Sequence, residues 1–578
     1  MAIFVFDSSH ALGKVRAVDT RRINVQVNSD EDLRKARVGQ LVALALPGAV
    51  EEWLIGLIDK VIKTPVMEEP SLIDESEPEE TSTMALPRES VLNTVQLTLV
   101  GTVGLTTDNK PRFSRSLVQV PEIDGSCYIL RDAQLQTFMN LLSREGKTEH
   151  SLEIGRYTID ENAKAYLDGN RLFQRHASLL GSTGSGKSWS VAAILEQAAK
   201  LPSSNLIVFD LHGEYRELTY TRQLRIPGPE ELGKTDEGLL FLPYWLLNAE
   251  ELQAMFIDRS EFSAHNQVIA FQDTVVDEKK KTLETLKKTE VLNAFTLDSP
   301  IPFDIKNVLA ELKHLNEEKV QGSRGDKQGP FYGQFSRLLV RLNSKVSDKR
   351  YGFLFQAPEP EHQYDAMAKM VKRLMDYSTE KAQVKVIDFS EVPADILPVI
   401  VGLVARIIYQ VQFWTDRAKR RPMALVCDEA HLYLPKKDGK NPVEQRAIEN
   451  FEKIAKEGRK YGVALLVVSQ RPSDVSPTIL SQCNNVIALR LTNGDDQATV
   501  KRLMPESLEG LMDTLPILDI GEALVVGDAV LLPSRIRIHP PREKPLSATI
   551  DFWDEWSKTP ESPDFAKAVE NMRRQNRA

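Results

Sequence analysis

The chain has 578 residues, enough for about three to four domains and a large buried core. Hydrophobic residues make up 42% and charged residues 27%, the balance of an ordinary folded globular chain, which excludes disorder as the main state. With 73 basic against 82 acidic residues and a net charge of −9, the molecule is no polycation that coats nucleic acid. Any contact with DNA must be local.

Cys127, Cys427 and Cys483 are too few and too scattered for a disulfide framework or a closed zinc site, so a reducing, cytoplasmic compartment is expected. The N-terminal segment lacks the basic start, apolar stretch and small-residue cleavage site of a signal peptide. The longest apolar stretch, Leu397 to Trp414, is interrupted by Arg406, Gln410 and Gln412. Its uncharged run falls short of the ~20 residues that cross a bilayer, and no membrane span is expected.

In chain order, residues 1–62 carry short alternating segments such as Ile23-Asn24-Val25-Gln26-Val27 separated by turn residues, which predicts the strands of a small β-barrel. From Thr64 to Pro87 there is no Lys or Arg, while acidic residues gather among prolines and serines. That composition reads as a solvated loop. Strand patterning resumes at Val95–Val100, and Leu135, Phe138, Leu141 and Leu142 mark a helix. Residues 1–150 are thus expected to form an N-terminal barrel domain.

At Arg175 the character changes. His176–Leu180, Leu206–Asp210, Val384–Phe389, Ala424–Cys427 and Val463–Val468 are largely apolar without alternation and are separated by helical segments such as Trp189–Lys200. Strands of that kind predict a parallel sheet covered on both faces, an α/β core. The core is expected in two parts, 151–240 and 381–545, split by a mostly helical insertion over 241–380. Within it, residues 277–288 mix both charges at helical spacing and read as a solvent-facing helix rather than a nucleic-acid patch. The tail, 546–578, reads as one or two short amphipathic helices that cap this chain or a neighbour.

Gly181-Ser182-Thr183-Gly184-Ser185-Gly186-Lys187-Ser188 fits the phosphate-binding pattern G-x-x-x-x-G-K-[ST] in its required context, a strand before and a helix after. The glycines let backbone N–H groups surround phosphates, Lys187 reaches the terminal ones, and the Ser188 hydroxyl suits Mg²⁺. A buried strand ending in Asp428-Glu429 supplies a metal-side carboxylate, Asp428, and a base, Glu429, for an attacking water. ATP with Mg²⁺ is the expected substrate and cofactor.

Gln470, after the next core strand, reads either as a γ-phosphate sensor or as a turn cap. Arg459 lies in a polar turn at the opposite end of that strand, too far to serve its own nucleotide easily. It reads as an arginine acting in trans, which implies a ring, or as a solvated side chain. Asp210 and Glu214, in Asp210-Leu211-His212-Gly213-Glu214-Tyr215, read as contacts to water, Mg²⁺ or the next subunit, or as a capping turn. His212 and His431 lack a third ligand at metal spacing.

The segments Arg175-His176, Asp210–Tyr215, Leu242–Asn248, Val386–Ser390, Asp428–His431, Glu457-Gly458-Arg459, Ser469–Pro472 and Gly521-Glu522-Ala523 occur in an order that resembles the HerA group of the HerA/FtsK ATPases, from the N-terminal barrel to about Pro540. The resemblance implies a homohexameric ring with a RecA-like core, a helical insertion and a HAS-barrel-like collar. It implies an ATP-driven translocase or helicase with duplex DNA in its channel and an effector, a nuclease or a sirtuin-like enzyme, at the barrel face. Lys187, Ser188, Asp428 and Glu429 keep the roles above, Arg459 matches the trans-acting arginine, and Arg175 matches a second basic residue reaching across the subunit boundary. For such a motor, DNA contacts are expected from Lys436, Lys437, Lys440 and Arg471 in the loops after two core strands. The alternative is a ring scaffold that binds an effector enzyme and controls it with ATP, without translocation.

Overall fold

A computed structural model describes residues 3–19, 22–46, 52–68, 88–117, 119–322, 325–378, 381, 383–436, 442–505, 508–547, 551–559 and 565–574. The chain forms two compact units. Residues 1–172, 180–186 and 484–539 build the first, and 173–179, 187–483 and 540–578 build the second.

The first unit begins with antiparallel strands β1 (Ala11–Asp19), β2 (Arg22–Val27), β3 (Leu41–Ala45), β4 (Trp53–Glu68), β5 (Arg88–Leu105), β6 (Pro111–Ser114) and β7 (Ser126–Ile129). They are ordered β2-β1-β7-β3-β4-β5-β6, and β5 also pairs with β2, so six strands make a closed circuit of pairings that protects their edges. The alternation read from the sequence serves this arrangement. Ile23, Val25 and Val27 enter a core with Leu44, Leu54, Ile58, Leu97 and Cys127, while Asn24 and Gln26 between them stay partly exposed. The expected loop from residue 64 starts later, because Thr64–Glu68 continue β4 and pair with Arg88–Leu92 of β5. Residues 69–87 lie outside the described residues. After helix α1 (Asp132–Gly146), the hairpin β8 (Ser151–Tyr157) and β9 (Asp160–Asp168) follows.

The parallel core, nearly all of it in the second unit, comprises β10 (Ala177–Leu180), which leads into the phosphate loop, helix α2 (Lys187–Ala198), β11 (Leu206–Asp210), β12 (Arg222–Arg225), then β15 (Val384–Asp388), β16 (Met423–Cys427) and β17 (Val463–Ser469). Their order is β12-β15-β11-β16-β17-β10, with parallel register from β12 to β17. All residues of β11, β15, β16 and β17 are buried, which is why these strands lack alternation. β12, Arg-Gln-Leu-Arg, extends the edge of this sheet and is too polar to be read as a strand. The first unit also contains β18 (Asn485–Leu489), β19 (Glu522–Val526) and β20 (Ser534–Ile538), paired antiparallel in that order, and β20 pairs with β8.

The insertion is mostly helical but includes a small exposed hairpin, β13 (Lys319–Gly322) with β14 (Gly325–Gln328). Helix α3 (Ala264–Thr285) is not solvent-facing throughout, contrary to the charge pattern: Glu278 and Lys279 are buried. Lys279 Nζ donates to the carbonyls of Leu297 and Ser299 at 2.6 and 2.8 Å, and burial pushes its ammonium down to about 8. Two convergent carbonyls replace the water this cation loses.

Helix α4 (Leu397–Trp414) has the length and apolarity of a membrane span, but most of it is buried in the second unit, so packing accounts for its composition. Its interrupting charge, Arg406, makes a bidentate pair with Glu251 (2.9 and 2.7 Å) and donates to the Leu246 carbonyl. That buried pair anchors the insertion to a core helix, and a guanidinium fork suits it where an ammonium would not.

Helix α5 (Pro442–Tyr461) ends at β17. Arg459 therefore sits in the last helical turn rather than in a polar turn, because the apolar face of α5 keeps packing up to Ala455. His176 joins this helix to the sheet. Its Nε2–H donates to the Ala455 carbonyl at 3.0 Å, and its Nδ1 accepts from the Leu465 N–H at 2.9 Å, which sets the tautomer. Burial holds this imidazole below its ordinary pKa, and protonating Nδ1 would remove the Leu465 acceptor. The unfolded chain takes up the proton at a higher pH than the fold does. Stability present above about pH 6.5 is therefore lost as pH falls through that value towards the folded pKa. Thermal unfolding should move to lower temperature between about pH 7.5 and about pH 5.5, and His176→Gln should reduce that pH dependence.

Candidate nucleotide-binding site

The loop between β10 and α2 is held by its own backbone geometry and by hydrogen bonds. Gly184 and Gly186 have φ of +73° and +102°, a region that side chains disfavour, and this turns successive N–H groups inward. Hydrogen bonds pin it, among them Ser182 N to the Arg490 carbonyl (2.8 Å), Thr492 N to Ser182 Oγ (3.3 Å), Ser185 Oγ to the Ser182 carbonyl (2.7 Å) and Gly521 N to the Ser185 carbonyl (3.1 Å). The last explains the Gly521-Glu522-Ala523 segment, whose glycine N–H holds the loop. Thr183 and Gly184 at the tip are exposed.

Lys187 opens α2 and is 8% exposed. Burial lowers its pKa, and Glu429, Asp428 and Glu214 oppose that shift. The carboxylates answer in kind. Asp428 is pushed well above the usual carboxylate range by burial, then by Glu429, Glu214 and Asp210. Glu429 is raised by burial, while Lys187 and His212 favour its charged form, as does the backbone N–H of Gln470. Glu429 also holds a left-handed backbone, φ 46° and ψ 43°, where a non-glycine residue is strained, as functional residues often are. Its N–H donates to Asp428 Oδ1 at 3.0 Å. His431 Nδ1 lies 3.3 Å from Glu429 Oε2, and burial keeps that imidazole's pKa low.

The two readings left open for Asp210 and Glu214 part here. The Asp210 carboxylate accepts four backbone N–H groups, from His212, Gly213, Glu214 and Tyr215, at 2.8 to 3.2 Å. It is a capping residue that shapes the turn. That turn carries Glu214 towards Lys187 and Asp428 and buries Tyr215 completely, its hydroxyl facing Asp428 without a well-formed hydrogen bond. Sequence reasoning missed Tyr215 and the electrostatic part of His212; their adjacency to Asp210 was the available signal.

Other expected residues stand apart. Arg459 is exposed in the last turn of α5, ahead of β17, whose seven residues span about 23 Å before Gln470. Arg175 is exposed ahead of β10, about 13 Å of strand before the phosphate loop. Lys436 and Arg471 are exposed, and their loops meet through a Pro435–Val475 bridge and the Lys436 N–H to Asp474 carbonyl bond at 2.9 Å. Arg471 Nε pairs with Asp474 at 3.5 Å. Lys437 and Lys440 lie outside the described residues.

Among the described residues, no three His, Cys, Asp or Glu side chains form a metal cage. Mg²⁺ needs none, since one or two protein oxygens, water and substrate phosphates suffice. Ser188 and Asp428 fit that role. One buried oxygen of each acid, Oε2 of Glu214 and Oε2 of Glu429, accepts no hydrogen bond, and a hydrated divalent cation would bring both the charge and the donors that such a cluster calls for.

Family models match on both sides of this site: "Helicase HerA, central domain" over residues 152–408 and "Helicase HerA-like C-terminal" over residues 303–544. The chain is similar to the DNA double-strand break repair helicase HerA of Saccharolobus solfataricus, 25% identical over 76% of this chain and 77% of the relative. It is also similar to that of Pyrococcus furiosus, 26% identical over 67% and 69%. Among solved structures it is similar to VirB4 of Thermoanaerobacter pseudethanolicus (17% identity, 68% and 97% coverage, TM-score 0.45). A second is the plasmid coupling protein TrwB with ADP and Mg²⁺ (12% identity, 70% and 94% coverage, TM-score 0.43).

Glu429→Gln keeps the shape of the side chain and removes its charge. It should retain nucleotide while phosphate release slows by about 100-fold or more; unchanged turnover would remove Glu429 from the chemistry.

Proposed function

The chain belongs to the HerA helicase family and is an ATPase of that family, and from this premise we propose that it is a ring-forming motor that hydrolyses ATP to move duplex DNA through a central channel. The observation that carries the reading is Lys187, buried among Asp428, Glu429 and Glu214 directly after the glycine-rich loop.

In this reading the backbone N–H groups of Gly181–Gly186 hold the phosphates of ATP and Lys187 neutralises charge at the terminal one. Ser188 and Asp428 hold Mg²⁺, which when bound adds positive charge at the phosphate oxygens. Glu429 accepts a proton from the attacking water, and its strained backbone and the Gln470 N–H keep the carboxylate in place. Gln470 reports the terminal phosphate to β17.

Hydrolysis at such loops commonly draws on an arginine that stabilises the transferring phosphoryl group, supplied in cis or in trans. Arg459 and Arg175 both sit at the far ends of their strands, so we read them as serving the nucleotide of an adjacent copy in a RecA-like homohexamer. Lys436 and Arg471, on loops that meet at Pro435 and Val475, are the proposed contacts to DNA phosphates. The closed circuit of strands within residues 1–150 is read as the family's barrel and as the seat of an effector protein, a nuclease or a sirtuin-like enzyme. The remaining divisions, core at 151–240 and 381–545, insertion at 241–380 and tail at 546–578, belong to the same proposal, as do a cytoplasmic site of action and a role in DNA end processing or anti-phage defence.

ATP hydrolysis should rise when long duplex DNA is added at low salt and fall back as salt is raised; no response to DNA would count against translocation. Mixing the inactive Arg459→Ala and Lys187→Ala chains should restore hydrolysis, because the first supplies a nucleotide site and the second an arginine. Full activity of Arg459→Ala alone would remove that arginine from the reaction.

A further inference from the structure

Trp189 directly follows Ser188 in α2 and is 37% exposed, while Ser190 to Leu195 behind it are buried. A large aromatic at that point calls for a partner. Part of one comes from the far end of the chain. Arg542 donates its N–H to Glu196 Oε2 at 2.9 Å, and its Nε lies 3.4 Å from Glu196 Oε1. Glu543 accepts from the Thr219 N–H at 2.6 Å and the Thr219 hydroxyl at 2.5 Å. Leu546 donates its N–H to the Glu214 carbonyl at 2.6 Å. Between these ties, Lys544 Nζ stands 5.3 Å from the centre of the Trp189 ring. Residues 542–546 are thus a strap laced to α2 and to the turn that carries Glu214, and the strap sets a cation against an indole that keeps over a third of its surface open.

The nucleotide's own geometry says what the open surface faces. In the phosphate-loop reading the loop N–H groups and Lys187 take the β- and γ-phosphates, which leaves the α-phosphate for the first turn of α2, where the helix N-terminus favours it. Ribose and base leave from that end, one sugar away from the residue after Ser188. A purine is flat and apolar on its faces and stacks on an aromatic ring without needing a specific hydrogen-bond pattern. The ammonium over the ring holds it in place electrostatically.

We propose that Trp189, braced by Lys544 and the 542–546 strap, is the platform on which the purine base of the nucleotide stacks. This rests on the phosphate-loop reading and extends it from the phosphates to the base. It also means that the segment after β20 takes part in nucleotide binding rather than merely leaving the fold.

The test uses the full chain and two ligands, ATP and inorganic tripolyphosphate, which carries the three phosphates without a base. Trp189→Ala should weaken ATP by about 10-fold or more and leave inhibition by tripolyphosphate unchanged, the latter also reporting an intact loop. Trp189→Phe, which keeps a stacking face, should recover most of the ATP affinity, and Lys544→Ala should cost less than Trp189→Ala. Unchanged ATP affinity in Trp189→Ala, or an equal loss for both ligands, overturns the platform. Wild-type chain that binds neither ligand would instead overturn the phosphate-loop reading beneath it.

Discussion

The structure depends on burying a lysine among carboxylates at the edge of an apolar sheet. Lys187, Asp428 and Glu429 are all largely removed from water, and each alone would be costly to bury. Together they offset one another incompletely: one ammonium faces Asp428, Glu429 and Glu214, and burial drives the acid groups towards their neutral forms. A cluster in that condition calls for additional positive charge.

That cluster can be held only because the surrounding sheet is rigid. β11, β15, β16 and β17 are buried along their whole length, so their ends lie in fixed register, and Asp428 and Gln470 emerge from neighbouring strands. Asp210 then turns the chain after β11 by gathering four N–H groups, setting Glu214 and Tyr215 against the same point. His176 plays a comparable part on the opposite side of the sheet, tying α5 to β17 through both ring nitrogens. The Arg406–Glu251 pair does so for the insertion. In each case one buried polar group, fully partnered, orients an element that hydrophobic contact alone would leave free to slide.

The expectations that needed correction share a cause. Composition described residues 64–87 as one solvated stretch, yet the first part is a strand because β5 offers it a complete set of backbone partners. Charge spacing described 277–288 as solvent-facing, yet Lys279 turns inward to two carbonyls about 20 residues further along the chain. Arg459 was expected in a turn, yet the helix before it persists because its apolar face continues to pack. In all three the deciding partner is distant in sequence, where periodicity carries no information.

The phosphate loop, the Asp428-Glu429 strand end and the parallel α/β core were legible in the sequence because each is defined by covalent neighbours: glycines beside the lysine, carboxylates at the end of an apolar run, strands lacking alternation. The closed circuit of N-terminal strands was foreshadowed by alternation but became definite only through the pairing of β5 with β2. The division of labour between Asp210 and Glu214, the strand β12 at the sheet edge, the burial of Tyr215 and the meeting of Trp189 with Lys544 were decided by tertiary structure alone. Each depends on which distant groups share a low-dielectric space or a hydrogen bond, and local patterning records a residue's tendency to be buried without recording whom it will meet there.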